Sequence, residues 1–346
     1  MGWMAAHTQE TSGGVRRAVI VWSVVAVLFV SAFAGAVAIL NATVFSAPAF
    51  ARSYLDALAG SDGGAALAHP GVVVPDTGSR ALLNGVALGT LDDIALVSDE
   101  ADDDDGRTVR FSYTSEGAPG STEFSLRHVG RNFLFFDGWE FARSPVATVR
   151  VQVQHATGFT ANGLVVPTDG DPTPIAEDGT AAGAEYAVFT PSTYVLSHRS
   201  RYVDAGPVRV AATEPGAALD AVLTAQPNAI FVEQAQREIN AYLSGCATQR
   251  VLLPAGCPFG KAIRDRIEGE PTWSIARMPA VTLQPYSADP NDRTWLVPEI
   301  VGTANIVVDV KSLFDGSVRT LDEDVPFGVS YRVTIQPDGT LMLQGL

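Results

Sequence analysis

AVIVWSVVAVLFVSAFAGAVAIL, residues 18–40, runs for 23 positions without a charged side chain. As a helix rising ~1.5 Å per residue it reaches about 34 Å, enough to cross a hydrocarbon layer of ~30 Å. Arg16 and Arg17 stand immediately before it, and the next basic residue is Arg52. Cationic flanks stay on the cytoplasmic side, so residues 1–17 are expected as a cytoplasmic tail and 18–40 as a transmembrane helix seated in the plasma membrane. Everything after Leu40 then lies outside. A cleaved secretory leader is the competing reading, because Ala49-Phe50-Ala51 has the spacing of a processing site. Leader cores usually span ~7–15 apolar residues, however, and this run is longer. A twin-arginine signal fits less well, with Val15 and Val19 where a polar and an aromatic residue belong. Anchor and leader both export the remainder.

A chain of 346 residues exceeds one ordinary core, so two or three domains are expected. Its 47% hydrophobic and 18% charged residues are those of folded domains. The net charge is −15, and residues 1–17 hold +1 through Glu10, Arg16 and Arg17, which leaves −16 beyond them. Such a surface repels nucleic acid, anionic headgroups and anionic wall polymers unless a basic patch intervenes. No nucleic-acid partner is expected.

The two cysteines, Cys246 and Cys257, fall in the exported part, where disulfides persist, and pairing is the expected state. Leu243-Ser244-Gly245-Cys246 spells a lipobox, but far from any leader. Ser244-Gly245-Cys246 also resembles part of the nucleophile motif of cell-wall L,D-transpeptidases, in which a histidine serves as base. No histidine follows His198, and none stands near the cysteines to complete a zinc site.

Beyond the span, Ser46-Ala47-Pro48 starts a helix that carries Phe50, Tyr54, Leu55 and Leu58 at helical spacing and stops at Gly60. A short turn over residues 64–68 precedes a change to strand-like alternation. Strands are expected around an Asn84-Gly85 turn, then at Ile94–Val97, Val109–Tyr113, Phe124–Leu126, Phe133–Phe135 and Trp139–Phe141. This predicts a first α+β domain over 46–145. Residues 146–216 show only strand patterns, with a turn at Asn162-Gly163 and a solvated loop from Thr168 to Gly183, so a small β domain is expected. A second helix after Pro227-Asn228 aligns Phe231, Ala235, Ile239, Tyr242 and Leu243. Strands follow at Trp273–Ile275, Val281–Leu283, Trp295–Val297, Ala304–Val310, Phe327–Ile335 and Leu341–Leu343, with turns at Asp315-Gly316 and Asp338-Gly339. Pro279 and Pro298 belong at strand ends, edges or bulges. Residues 228–346 thus repeat the plan of the first domain.

Residues 50–68, FARSYLDALAGSDGGAALA, resemble the opening helices of the nuclear-transport-factor-2-like superfamily. That resemblance implies a cone of curved antiparallel sheet wrapped around helices. Phe189-Thr190-Pro191-Ser192-Thr193-Tyr194 resembles a Pro-Gly-Thr-Tyr strand of TcaA-like envelope proteins, with Ser192 in place of the glycine. Tail, span, cone, β domain and second cone are similar to that group and to actinobacterial single-pass membrane proteins. The resemblance implies an α+β chain with two cone-like domains flanking a small all-β domain, and association with the cell envelope.

No constellation singles out catalysis. No G-x-S-x-G elbow or nucleotide-binding loop is present, and among the histidines of the exported part only His198 has adjacent hydroxyls. Asp99–Asp105 lacks the ligand spacing of a calcium loop. No spacing selects a carboxylate pair for glycoside cleavage. Phe133, Phe135, Phe136, Trp139 and Phe141 cluster, and are read as core or as the lining of a pocket between helix and sheet. The expected function is that of a non-catalytic envelope protein, without cofactor or metal, that binds or senses a partner protein or wall component. The alternatives are a wall-peptide transferase using Cys246 and a small hydrophobic-ligand binder using a cone pocket.

Overall fold

The computed structural model describes residues 12–102, 105–132, 135–168 and 183–346. It is an α+β chain in which one long apolar helix precedes several antiparallel sheets with few further helices. That helix, α1 (Ser12–Thr43), contains a stretch, Arg16–Thr43, long and apolar enough to cross a membrane, and none of its apolar window is buried in the protein.

A three-residue turn leads to α2 (Ala47–Ala59), where the Ser46 hydroxyl accepts from the Ala49 amide at 3.3 Å. Pro48 in the first turn lacks only an N–H that the helix would leave unpaired. Asp62 caps the one-turn α3 (Gly63–Leu67), a helix where the sequence suggests only a turn. Four strands follow as an antiparallel meander: β1 (Leu91–Ala101), β2 (Gly106–Ser115), β3 (Ala118–Asn132) and β4 (Phe136–Phe141). Strand β2 turns Val109, Phe111 and Tyr113 inward and Arg110 outward. Helix α2 lays Ala47, Ala51, Tyr54, Leu55 and Leu58 on that inward face at i, i+4, i+7, i+8 and i+11. Burying each such Leu or Phe contributes about 1.5–3 kcal/mol.

Asn84-Gly85 is not a hairpin turn. Asn84 Oδ1 accepts from the Val86 amide and caps a 3-10 turn, Gly85–Ala87. A Cβ on Gly85 would lie 2.0 Å from the Ser61 carbonyl oxygen, so glycine is required where this turn packs on the α2–α3 corner. Local turn propensity yields here to a tertiary contact.

The middle part is a sandwich of β5 (Val146–Gln154), β6 (Gly158–Ala161), β7 (Leu164–Pro167), β8 (Ala184–Phe189), β9 (Ser192–Arg199), β10 (Val203–Ala212), β11 (Ala218–Thr224) and β12 (Gln226–Pro227). One sheet has the order β12-β10-β9-β6-β7 and the other β11-β5-β8. Asn162 and Gly163, at φ 47° and 97°, make the two-residue turn that joins β6 to β7. Strand β11 pairs in parallel with β5 from Ala218↔Thr148 to Thr224↔Gln154, so this sheet extends past residue 216. Residues 169–182 of the expected loop lie outside the described residues.

The last part opens with α4 (Ala229–Ala247), capped by Asn228, whose buried stripe is Phe231, Ala235, Ile239, Leu243 and Cys246. Tyr242 is turned outward, 41% exposed, and its hydroxyl donates to the Gly256 carbonyl. The strands are β13 (Arg266–Arg277), β14 (Gln284–Pro285), β15 (Thr294–Lys311), β16 (Val318–Ile335) and β17 (Leu341–Gly345). Residues 281–283 lie outside the strands, just before β14. Two expected strands, at 295–297 and 304–310, are one strand of 18 residues, interrupted at Pro298 by a bulge between Val297 and Ile300. A bulge accommodates a residue with no N–H to give. Trp295, fully buried, centres the core of this part.

Candidate functional site

Residue placement divides the expected pocket aromatics into three groups. Phe141 is core: it is buried and packs on Phe50, Tyr54 and Phe124 at ring-centroid distances of 5.1–5.4 Å. Phe135, Phe136 and Trp139 turn toward α1 and the turn after it. Phe135 meets Phe33 edge-on at 5.2 Å, Phe136 stacks on Phe45 at 4.4 Å, and the Trp139 indole N–H donates to the Phe45 carbonyl at 2.9 Å. Phe133 lies outside the described residues. None of the four described aromatics lines either of the two cavities described below.

The more built of those cavities, about 590 Å³, is a polar cleft where the first sheet meets the sandwich. It is lined by Arg110, Ser121, Glu123 and Ser125 of β2 and β3, by Arg143, and by Thr213 and Glu214 of the loop before β11. Arg110 and Glu123 face one another across the β2–β3 register and pair at 2.5 Å. The Thr122 hydroxyl donates to the Thr213 carbonyl at 2.7 Å and ties the two walls together. The loop is held by Gly216, whose amide donates to the Val146 carbonyl at 2.8 Å. At φ 69° Gly216 adopts a conformation other residues resist, and a Cβ there would stand 2.9 Å from Arg143 Nη2. Glycine thus leaves room for the exposed Arg143 guanidinium, which makes no ion pair among the described residues.

Tyr54 ties α2 to the start of the sandwich, its hydroxyl lying 3.0 Å from the carbonyl oxygens of Pro145 and Thr190. Burial, then the neighbouring Tyr194, pushes its pKa well above the ordinary phenol value. Tyr54 therefore stays neutral and serves as a donor. The cleft offers one uncommitted cation, an internally balanced Arg–Glu pair and several hydroxyls, a lining suited to a polar ligand carrying a carboxylate. The second cavity, about 520 Å³, is an open depression at the α2–α3 corner lined by Ser61, Asp62, Gly63, Gly64 and the 84–88 turn.

Cys246, on the last turn of α4, is bonded to Cys257 with their Cα atoms 5.8 Å apart. Its sulfur is therefore not a free thiolate. His198 Nδ1 lies 2.7 Å from the Gly158 carbonyl and binds the sandwich rather than a nucleophile. The serine–histidine pair that does form joins Ser53 to His69 Nε2 at 3.1 Å, while His69 Nδ1 faces the Ala65 carbonyl at 2.8 Å. The Ser53 hydroxyl also lies 2.7 Å from its own helix's Phe50 carbonyl, and neither described cavity includes the pair. In the acidic run Asp99 pairs with Arg107 at 2.6 Å and Asp102 accepts from Thr108. Among the described residues no group of three or more His, Cys, Asp or Glu is placed to hold a metal ion.

The cleft was not visible in the sequence because Arg110, Arg143 and Thr213 belong to no common motif. Comparison with protein-family models, with curated proteins and with solved structures gives no match.

Proposed function

We propose that this chain is a single-pass membrane protein of the cell envelope. Its N-terminus is cytoplasmic, and the part beyond Leu40 is an extracytoplasmic, non-catalytic binding module of two cone-like domains flanking a β-sandwich. The observation that carries the reading is an apolar helix with no buried window, followed by a fold containing a disulfide. The resemblance to TcaA-like and actinobacterial membrane proteins points the same way. An uncleaved anchor is favoured over a leader because Ala49-Phe50-Ala51 lies inside α2, where Ala47 and Ala51 are core residues. Cutting after Ala51 would remove the cap and first turn of that helix.

The ligand of this reading is a polar envelope component bearing a carboxylate, held in the cleft by Arg143 with Ser121, Thr122 and Ser125 around it. The Cys246 transferase is less favoured because it needs a free sulfur, whereas Cys246 is bonded to Cys257. The hydrophobic-ligand alternative needs an open apolar cavity behind the aromatic cluster, whereas Phe141 fills the interior there. The test is co-sedimentation of the full chain in detergent with purified cell wall, alongside Arg143→Glu. Binding lost in the variant supports the cleft. Equal binding by both proteins, or none by either, refutes it.

A further inference from the structure

Strand β16 is paired along the whole of one side and along only a part of the other. It meets β15 from Lys311↔Val318 to Thr294↔Thr334, whereas β17 reaches only Tyr331 to Ile335. Residues 318–329, about 40 Å of extended chain, are left as an edge. Two bonds show which of its backbone groups point outward. The Ser312 N–H donates to the Ser317 carbonyl at 2.9 Å, and the Leu346 N–H to the Ser330 carbonyl at 3.0 Å. The first starts an alternation in which Arg319, Leu321, Glu323 and Val325 give their amides and carbonyls to β15. The second places Ser330 in the opposite phase, facing away. Val318, Thr320, Asp322, Asp324 and Gly328 therefore turn both N–H and C=O to the open side, and Pro326 its carbonyl alone. Among the described residues no strand or loop backbone takes them. The edge strand of the first sheet, β1, carries two bulges, a device that blunts an edge; residues 318–329 carry none.

A second copy fits this edge in one register. With the copies antiparallel and their inward faces on the same side, Leu321 lies across from Leu321, Arg319 from Glu323, Thr320 from Asp322 and Val318 from Asp324. Two-fold symmetry makes each unlike pair occur twice. The outward groups of 318, 320, 322 and 324 then meet as hydrogen-bonded pairs, two bonds in each. Pro326 falls opposite Gly316, in the turn beyond the strand, where no bond needs its missing N–H. Moving the centre to Asp322 would set that carboxylate against itself, and moving it to Thr320 would set Arg319 against Leu321. Centred on Leu321, the two Asp322 carboxylates stand on a diagonal about 7–8 Å long, each accepting from its own Asn305 amide at 2.9 Å. Arg319 is exposed and only 3.9 Å from Asp265, so it is free to reach Glu323 of the second copy, which Lys261 holds from the other side.

Apolar exposure falls in the same place. Leu313 is 73% exposed and Phe314 wholly exposed, both in the turn between β15 and β16. In the register centred on Leu321 they lie beside Gly328 and Val329 of the second copy, next to its Leu346, itself 62% exposed. We infer that the open edge of β16 is the contact between two copies of this chain, which joins their last sheets into one antiparallel sheet across a two-fold axis.

The experiment uses the full chain in detergent, its Cys246–Cys257 bond intact, with the protein mass followed by sedimentation equilibrium. The wild type should reach twice the chain mass. Thr320→Pro removes an outward N–H and the hydroxyl bond to Asp309 while leaving the β15 backbone bonds in place. Two interface bonds are lost per dimer, so dissociation should strengthen roughly tenfold or more, with an unchanged far-ultraviolet circular dichroism spectrum. Independently, Leu321→Cys should oxidise to a covalent dimer, because a non-hydrogen-bonded antiparallel pair holds its Cα atoms about 4.5 Å apart, within disulfide reach. Val325→Cys, about 27 Å from its counterpart in this register, should not. A wild type that stays monomeric through the micromolar range overturns the inference. So does a folded Thr320→Pro that dimerises as tightly as the wild type, which would place the contact in α1 or elsewhere. A dimer that cross-links at 325 and not at 321 overturns it as well, and if Thr320→Pro fails to fold the two thiol variants decide.

Discussion

Reducing the Cys246–Cys257 bond isolates one contribution to stability. The bridge closes a loop of about 12 residues, and the chain-entropy relation assigns such a loop about 3 kcal/mol at 25 °C, roughly a hundredfold in the unfolding equilibrium. Several other native contacts of the loop do not involve its sulfurs. The Gln249 side chain holds Ala255 from both sides, at 3.1 Å to its carbonyl and 2.8 Å to its amide, and Lys261 N–H donates to the Leu252 carbonyl at 2.8 Å. The reduced fold should therefore keep its shape, and the loss should come from a freer unfolded chain. The paired variant Cys246→Ala, Cys257→Ala adds about 1 kcal/mol for the buried sulfur lost from the α4 core face. Urea unfolding of the full chain in detergent, followed by the fluorescence of Trp273 and Trp295, measures both. A midpoint drop on reduction with little change in slope is expected. Equal midpoints for oxidised and reduced protein would refute the loop-entropy reasoning.

Tyr54→Phe removes the hydroxyl shared by two buried carbonyls; Pro145 retains the Thr190 amide as a donor, so a loss of about 1–2 kcal/mol in thermal or urea unfolding is expected. Gly216→Ala places a side chain at φ 69°, costing about 1–2 kcal/mol, and displaces Arg143, so wall co-sedimentation should weaken beyond what the stability loss explains. Asp292 sits in the loop that His155 holds through the Pro290 and Asp292 carbonyls at 2.8 and 2.7 Å. Burial raises its pKa, but the Ser287 hydroxyl and the Thr294 hydroxyl and amide outweigh this and leave it below the ordinary 3.8. A depressed carboxylate stabilises the fold at pH above its ordinary value and loses that contribution as pH falls through its folded value. Acid unfolding below about pH 4 should therefore begin at higher pH, and become less steep, in a Ser287→Ala variant.

What could be read from residue order was what local chemistry decides. Ser46 and Asn228 announce the two principal helices because a capping side chain acts within its own turn. Asn162-Gly163 makes its hairpin because both residues tolerate positive φ. The misses are tertiary. β11, ALDAVLT, carries no strong strand pattern and is recruited by parallel pairing with a strand some seventy positions earlier. Pro298 makes β15 look like two strands because a bulge leaves no mark in composition. The cluster around Phe135 and Trp139 was legible as apolar, but not its partner, since nothing local says that Phe33 and Phe45 will meet it. The cleft depends on three chain segments converging and on one glycine that keeps Arg143 clear.

The most direct measurement is the accessibility of the C-terminal part to protease added outside intact, wall-stripped cells that carry the full chain. The account predicts digestion of everything beyond α1 while a cytoplasmic marker survives, with a protected fragment that retains Arg16 and Arg17. Survival of the C-terminal part until the membrane is broken would contradict it.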